Sequence, residues 1–536
     1  MKNTRKFAAF VASILAVACM AAPMATSFSA DAAGSIEISN EATGHTYEAY
    51  QIFDGDLSGG VLSNIVWGSG IDSAKTDDLM ADLKKITEFA SCTDAASVAA
   101  KLAETTEFDA EVTQKFASVV GKYLSTTKTE SEFAGGKYTI SDVDDGYYLV
   151  KDADASLDDQ HDAKTRYIVE VLGNKTDINP KSSFPTVEKK VKEDDKTVTG
   201  NPINGPEDGA NNWNDVADYC IGEAVPFKLY GTMPSTIDDY SKYKYVFHDT
   251  LATQFTAPDA SAVTVKVDGK AAVGANVAVD GQNITVTFDD IKDGNTINAK
   301  SIVTVEYTAV LNDTAVIGLD GQQNEVYLTY SNNPNWTGEG TPDDKGETPK
   351  DAVIVFTYEL DTTKVDGADN TKKLPNAKFK LLNADKTKAA TVTDGKFAGW
   401  VDIDAGTELT SDAEGLFKVA GLDDGIYYLE ETVAPEGYNL LAAPVEVVIT
   451  ATTANDQNWD MENANKALTK LDVTADGKSG TADTTSGVAS ITIANNAGST
   501  LPSTGGIGTT IFYVAGGALV VGAGVLLVSK KRMSNK

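Results

Sequence analysis

Apolar positions follow three rhythms along this chain. Two of them are unbroken runs at the ends: residues 7–24, behind Lys2, Arg5 and Lys6, and residues 511–528, ahead of Lys530, Lys531 and Arg532. The first has the charge and length of a secretory signal, and Ala30-Asp31-Ala32 offers small residues for cleavage before Ala33. The second, about 18 residues long, is just sufficient to cross a bilayer core. The cations behind it belong on the cytoplasmic side.

Between the ends, short pieces that alternate with period two prevail. Ile36 and Ile38, then Tyr50, Ile52 and Phe53, with turns at Asp54-Gly55 and Gly59-Gly60, predict strands and loops. From about 73 to 124 the spacing shifts to three or four residues, with Leu79, Leu83, Ile86 and Phe89, then less regularly Val98, Leu102, Phe108, Val112 and Phe116. That period predicts helices inserted in a mainly β region. Strands return at 137–140, 146–150 and 167–172. A second region has strand-like runs at 263–267, 284–288, 302–310 and 326–330, with hairpin-type turns at Asp268-Gly269 and Asp280-Gly281. Its pattern is that of an antiparallel sandwich. A third opens with Ile354, Phe356, Tyr358 and Leu360 on one face. The expected organisation is a signal segment at 1–32, regions at 33–182, 183–350 and 351–500, and a terminal segment at 501–536. The fold class is mainly β, in tandem sandwiches.

Composition narrows the function. A net charge of −33 excludes a nucleic-acid partner, which needs clustered cations. Only Cys92 and Cys220 lie outside the signal segment, so a disulfide framework cannot hold an exported chain of this size together. His45, His161 and His248 are far apart, and no metal or cofactor is expected.

The alternation in the third region, followed forward, brings Thr362 and Lys364 inward. A buried lysine is costly without a partner, so Lys364 is either ion-paired or no longer an ammonium. On the last strand-like run Ile491, Ile493 and Asn495 share a face, which selects Asn495 as the partner with Asn496 in reserve. In the second region the same parity selects Lys189, with Lys190 in reserve and directed outward, and leaves Asn332 and Asn324 open as partners.

Three motifs carry a resemblance. Leu501-Pro502-Ser503-Thr504-Gly505, the apolar run and the basic tail resemble the cell-wall sorting signal of Gram-positive surface proteins. Tyr427-Tyr428-Leu429-Glu430-Glu431-Thr432-Val433-Ala434-Pro435-Glu436-Gly437-Tyr438 resembles the E-box of collagen-adhesin B-type pilin domains. Asp177-Ile178-Asn179-Pro180-Lys181 resembles the pilin motif of Gram-positive backbone pilins, with Ile178 and Asn179 where valine and tyrosine are usual. The fold this implies is tandem immunoglobulin-like, collagen-adhesin A/B-type sandwiches. The resemblance further implies isopeptide bonds Lys364–Asn495, promoted by Glu431, and Lys189–Asn332, promoted by Asp249 in the segment Tyr245 to Leu251. In the first region Lys151 stands where Glu431 stands in the third, so no such bond is expected there. A sortase would cleave after Thr504 and join its carbonyl to Lys181 of the next subunit.

The chain is thus expected to be a shaft pilin rather than an enzyme, exported and anchored to the cell wall. The partners implied are pilus-specific and housekeeping sortases, identical subunits, accessory or tip pilins and peptidoglycan, with the host ligand unassigned. The alternative is a singly anchored adhesin that does not polymerise. A hydrolase is disfavoured: no nucleophile elbow or HExxH occurs, and Asp249 and Glu431 fall in different regions.

Overall fold

The computed structural model describes residues 34–58, 60–103, 110–154, 156–157, 163–172, 175–178, 183–196, 198, 212–336, 342, 346–455, 459, 461, 463–498 and 507–533. The signal segment lies outside them. In the first region Gly34–Ile38 pairs antiparallel with Lys137–Val143 and parallel with Lys175–Ile178. A separate five-stranded sheet is built around Tyr47–Ser58 and Gly146–Asp152. Helices Thr76–Leu83, Ala95–Ala103 and Ala110–Val120 place Leu79, Leu83, Val98, Val112 and Phe116 against Ile52, Phe53 and Leu149. The other face of the same strands, with Tyr47, Ala49, Tyr148 and Val150, packs on Ile36, Ile38, Tyr138 and Ile140. Residues 47–53 are therefore buried on both faces, which is why alternation is weak in that stretch.

The second region forms two facing seven-stranded sheets. In one, Val187–Lys192 pairs with Trp213–Asn214 and Ala224–Thr232, and the latter with Ile302–Leu311. In the other, Tyr245–Thr250 lies between Asn283–Phe288 and Gln322–Tyr330. Val187, Val191, Phe227 and Leu229 meet Phe247, Val326, Leu328 and Tyr330 in one core between the sheets.

One element departs from the expected division. Asp351–Phe356, read as the opening of the third region, hydrogen-bonds to Gln322–Tyr330 as an interior strand of the second. Val353 and Val355 face the second core, while Ile354 and Phe356 face the third. The alternation that marked a face was real, but the opposite face is apolar too, because the strand is covered on both sides. The sheets change hands at Thr357.

Beyond it, Tyr358–Asp366 pairs antiparallel with Leu416–Leu422 and parallel with Val488–Asn495 in a twelve-stranded sheet. The helix Ile507–Met533 follows, and its stretch Ile511–Lys531, with mean hydropathy 2.3, is long and apolar enough to span a membrane.

Candidate functional site

Parallel pairing of the first and last strands of the third region sets the site. Lys364 is opposite Ile493 and Asp366 is opposite Asn495. Both strands bury alternate residues, so Lys364 and Asn495 point into the same interior, at 0 % and 1 % exposure. Lys364 Nζ lies 2.7 Å from Asn495 Oδ1 and donates also to the Ile493 carbonyl at 3.1 Å. Asn495 Nδ2 donates to both oxygens of Glu431, at 2.8 and 2.9 Å, and to the Asn439 carbonyl at 3.0 Å. Leu441 N–H holds Glu431 Oε2 at 2.9 Å. Burial pushes the Lys364 amine down to about 8, with Glu431 opposing that shift. An amine so placed is neutral in an appreciable fraction near neutral pH, about a tenth at pH 7, and that fraction is a nucleophile 2.7 Å from a carboxamide oxygen. Asn496 is exposed.

In this orientation Glu431 faces the nitrogen that would depart, not the Asn495 carbonyl oxygen. The carboxyl is therefore set to move protons to the leaving amide nitrogen.

The second region brings Lys189 to Asp249. Both are almost wholly buried, their side chains are in direct hydrogen-bond contact, and Tyr307 donates its hydroxyl to the other Asp249 oxygen. Lys189 Nζ also lies 5.2 Å from the Phe227 ring centroid and 5.8 Å from that of Tyr307. Burial lowers the Lys189 pKa, against the opposing charge of Asp249. The backbone N–H of Lys189 donates to Asp351 at 2.6 Å, and burial raises that carboxyl to about 6.

Asn332 is not part of this group. Asp249 is paired with Val326, and Asn332 lies beyond the end of that strand, where its carbonyl accepts from Lys164 N–H at 2.6 Å. Asn324 shares the inward face with Val326, two residues along the strand from the partner of Asp249, and is 0 % exposed. Its Oδ1 accepts from Ala252 N–H at 2.7 Å, and its Nδ2 has no hydrogen-bond partner among the described residues. Sequence parity could not separate the two asparagines, since both have the parity of Val326. The deciding fact is the register of Tyr245–Thr250 on Gln322–Tyr330.

Lys190 does not project into solvent. It is 4 % exposed and donates to Asp215 at 2.5 Å, a residue carried just past Trp213–Asn214, which pairs alongside its strand. In the first region, Lys151 sits between Glu48, at 3.6 Å, and Asp154, at 2.9 Å. Cys92 and Cys220 lie in separate cores and do not pair with each other. Lys181 and the motif Leu501 to Gly505 fall outside the described residues.

Comparison with known proteins adds the lineage. Residues 359–465 match the prealbumin-like fold domain family, and residues 493–535 match the LPXTG cell wall anchor motif. The trypsin-resistant surface T6 protein of Streptococcus pyogenes is 26 % identical over 437 residues, 69 % of this chain and 72 % of that protein. The type 1 fimbrial subunit of Actinomyces viscosus is 28 % identical over 263 residues, 44 % of this chain and 42 % of that one. The chain thus carries a cell wall anchor motif and is similar in sequence to a surface T6 protein and a fimbrial subunit. The solved T6 backbone pilin of serotype M6 S. pyogenes is similar in fold to this chain at TM-score 0.50, with 20 % identity, covering 88 % of this chain and all of that one. Lys364 and Glu431 lie inside the prealbumin-like match, while Asn495 falls within the anchor match.

Two contributors carried no sequence signal of their own. Tyr307 is one of several inward residues on Ile302–Leu311, and Asp351 stood at an expected boundary; only the fold sets them beside Asp249 and Lys189.

Proposed function

We propose that this chain is the major shaft subunit of a covalently polymerised fimbria. A pilus-specific sortase cleaves after Thr504 and transfers its carbonyl to the amine of Lys181 on the next subunit; a housekeeping sortase attaches the finished fibre to peptidoglycan. Accessory pilins share the fibre. The subunit is structural, and its own chemistry is confined to cross-links within the chain.

In the third domain the neutral Lys364 amine attacks Asn495 Cγ. One C–N bond forms, the Cγ–Nδ2 bond breaks, and Glu431 relays the lysine proton to the departing nitrogen, which leaves as ammonia. In the second domain Lys189 and Asp249 act in the same roles. Asn324 is the better partner there, since its face, its rung and its unpaired buried Nδ2 all favour it over Asn332. The domains so joined are 33–182, 183 to about 357, and from there to 500.

The observation that carries this reading is the buried Lys364–Asn495–Glu431 cluster across first and last strands, in a chain that ends with a cell wall anchor motif. A tie of that topology puts pulling force on a covalent bond and shields the sheet between. Immunoblots of wall extracts test the polymer: a ladder of high-mass species collapses to monomer in Lys181→Ala. A single band in both strains favours the singly anchored adhesin.

A further inference from the structure

The strand that carries Lys189 runs directly into Glu193-Asp194-Asp195-Lys196, and the strand that carries Glu431 begins directly after Asp423-Asp424. The fold brings these two ends together around Asp218, the last residue of Val216–Asp218. Carboxylate oxygens of Asp195, Asp218 and Asp424 lie within 4.8 Å of one another, as do those of Glu193, Asp194 and Asp195. The two groups share Asp195, which is exposed; around it Glu193 is 1 % exposed, Asp218 0 % and Asp424 8 %.

One ammonium is present. Lys196 Nζ lies 2.5 Å from Asp218 Oδ1, 3.3 Å from Asp424 Oδ2 and 3.9 Å from Asp195 Oδ1. Part of the remaining valence is met by neutral donors, with Tyr358 O–H on Asp218 Oδ2 at 2.9 Å and Ala451 N–H on Asp424 Oδ2 at 3.0 Å. Two oxygens are left over. Glu193 Oε2 and Asp424 Oδ1 are buried with no hydrogen-bond partner among the described residues. A buried oxygen without a donor is costly, and more so on a carboxylate.

We infer that this junction is a binding site for one divalent cation of the calcium type, held by Glu193, Asp195, Asp218 and Asp424. The chemistry of the donors is that of a hard cation: several carboxylates, with neither histidine nor thiol among them. Lys196 is then a built-in competitor, its side chain 23 % exposed and able to swing outward when the ion enters. The ion would link the end of the Lys189 strand to the start of the Glu431 strand. It would thus staple two sandwiches that are each closed separately.

The test uses the exported chain without its terminal membrane helix, whose candidate span packs on nothing else in the fold. After treatment with a chelator, the protein is titrated with CaCl2 by calorimetry in 0.15 M NaCl, with MgCl2 as the comparison ion. The expected result is one saturable calcium site per chain and an upward shift of the thermal transition. Asp424→Asn and Glu193→Gln lower the calcium affinity at least tenfold. Lys196→Met raises it, a gain that a folding defect cannot mimic. Absence of a saturable one-to-one site overturns the inference. So does weak, multiple binding unchanged by Asp424→Asn, which would be screening of a surface with net charge −33. Loss of stability in Lys196→Met that calcium fails to restore would also count against it, leaving the lysine as the sole counter-charge.

Discussion

Lys364 is costly as a charged group and useful as a neutral one. Burial holds its folded-state pKa at about 8, below the unfolded value of about 10.4. For a base depressed in this way, the unlinked fold is penalised fully below about pH 8, and the penalty fades as pH rises toward the unfolded value. Linking removes the titrating group altogether, and with it that part of the pH dependence. The reactive fraction follows the same curve. Chains made by cell-free translation and shifted to buffers between pH 6 and 8 are expected to lose ammonia about tenfold faster per pH unit, levelling above about pH 8. Time-resolved intact mass checks this, and a flat profile would remove the neutral lysine from the mechanism. Lys364 and its asparagine were legible in the sequence because strict alternation reaches both from apolar neighbours. Lys190 was misread by the same rule, since parity reports the face of a strand and not what covers that face.

At the level of elements, register decides which amide meets which amine. Tyr245–Thr250 aligned on Gln322–Tyr330 puts Asp249 opposite Val326, so the nearest amide on the same face, two residues along, belongs to Asn324. The intact chain is expected to weigh about 34 Da less than its residues sum to, one ammonia for each of two condensations. In Asn324→Ala half of that deficit should vanish, whereas Asn332→Ala should keep all of it; the reverse outcome would restore Asn332. The third domain's tie spans residues 131 apart, and in the chain-entropy account such a closure is worth about 5 kcal/mol. Lys364→Met should therefore lower urea resistance by an amount of that order, read from the unfolding midpoint of that domain. The same alternation that exposed these faces also misplaced Asp351–Phe356. A strand apolar on both sides carries no mark of which sheet it joins.

For the whole molecule, stiffness depends on the junctions as well as on the ties. Segment 164–166 of the first domain docks on 332–335 and 239 of the second. Lys164 N–H bonds to Asn332, the Arg166 guanidinium donates to the Pro334 and Asp239 carbonyls at 3.3 and 3.4 Å, and Asn335 reaches the Thr165 carbonyl at 3.4 Å. Hydrogen bonds from a charged donor are worth about 1.5 to 3 kcal/mol each at best. Arg166→Ala is expected to speed amide exchange in 331–336 about tenfold without changing the intact mass; unchanged exchange would show that the first domain is held elsewhere. The sequence by itself determined the periodic elements, the export and anchor segments, and which lysine of the second and third domains to single out, because those follow from spacing along the chain; the carboxyls came from the motif resemblance. Only the tertiary structure decided which asparagine lies in reach, which face of Val187–Lys192 is covered, and where the second domain ends. Those outcomes depend on the register and packing of strands more than a hundred residues apart, and no local pattern encodes them.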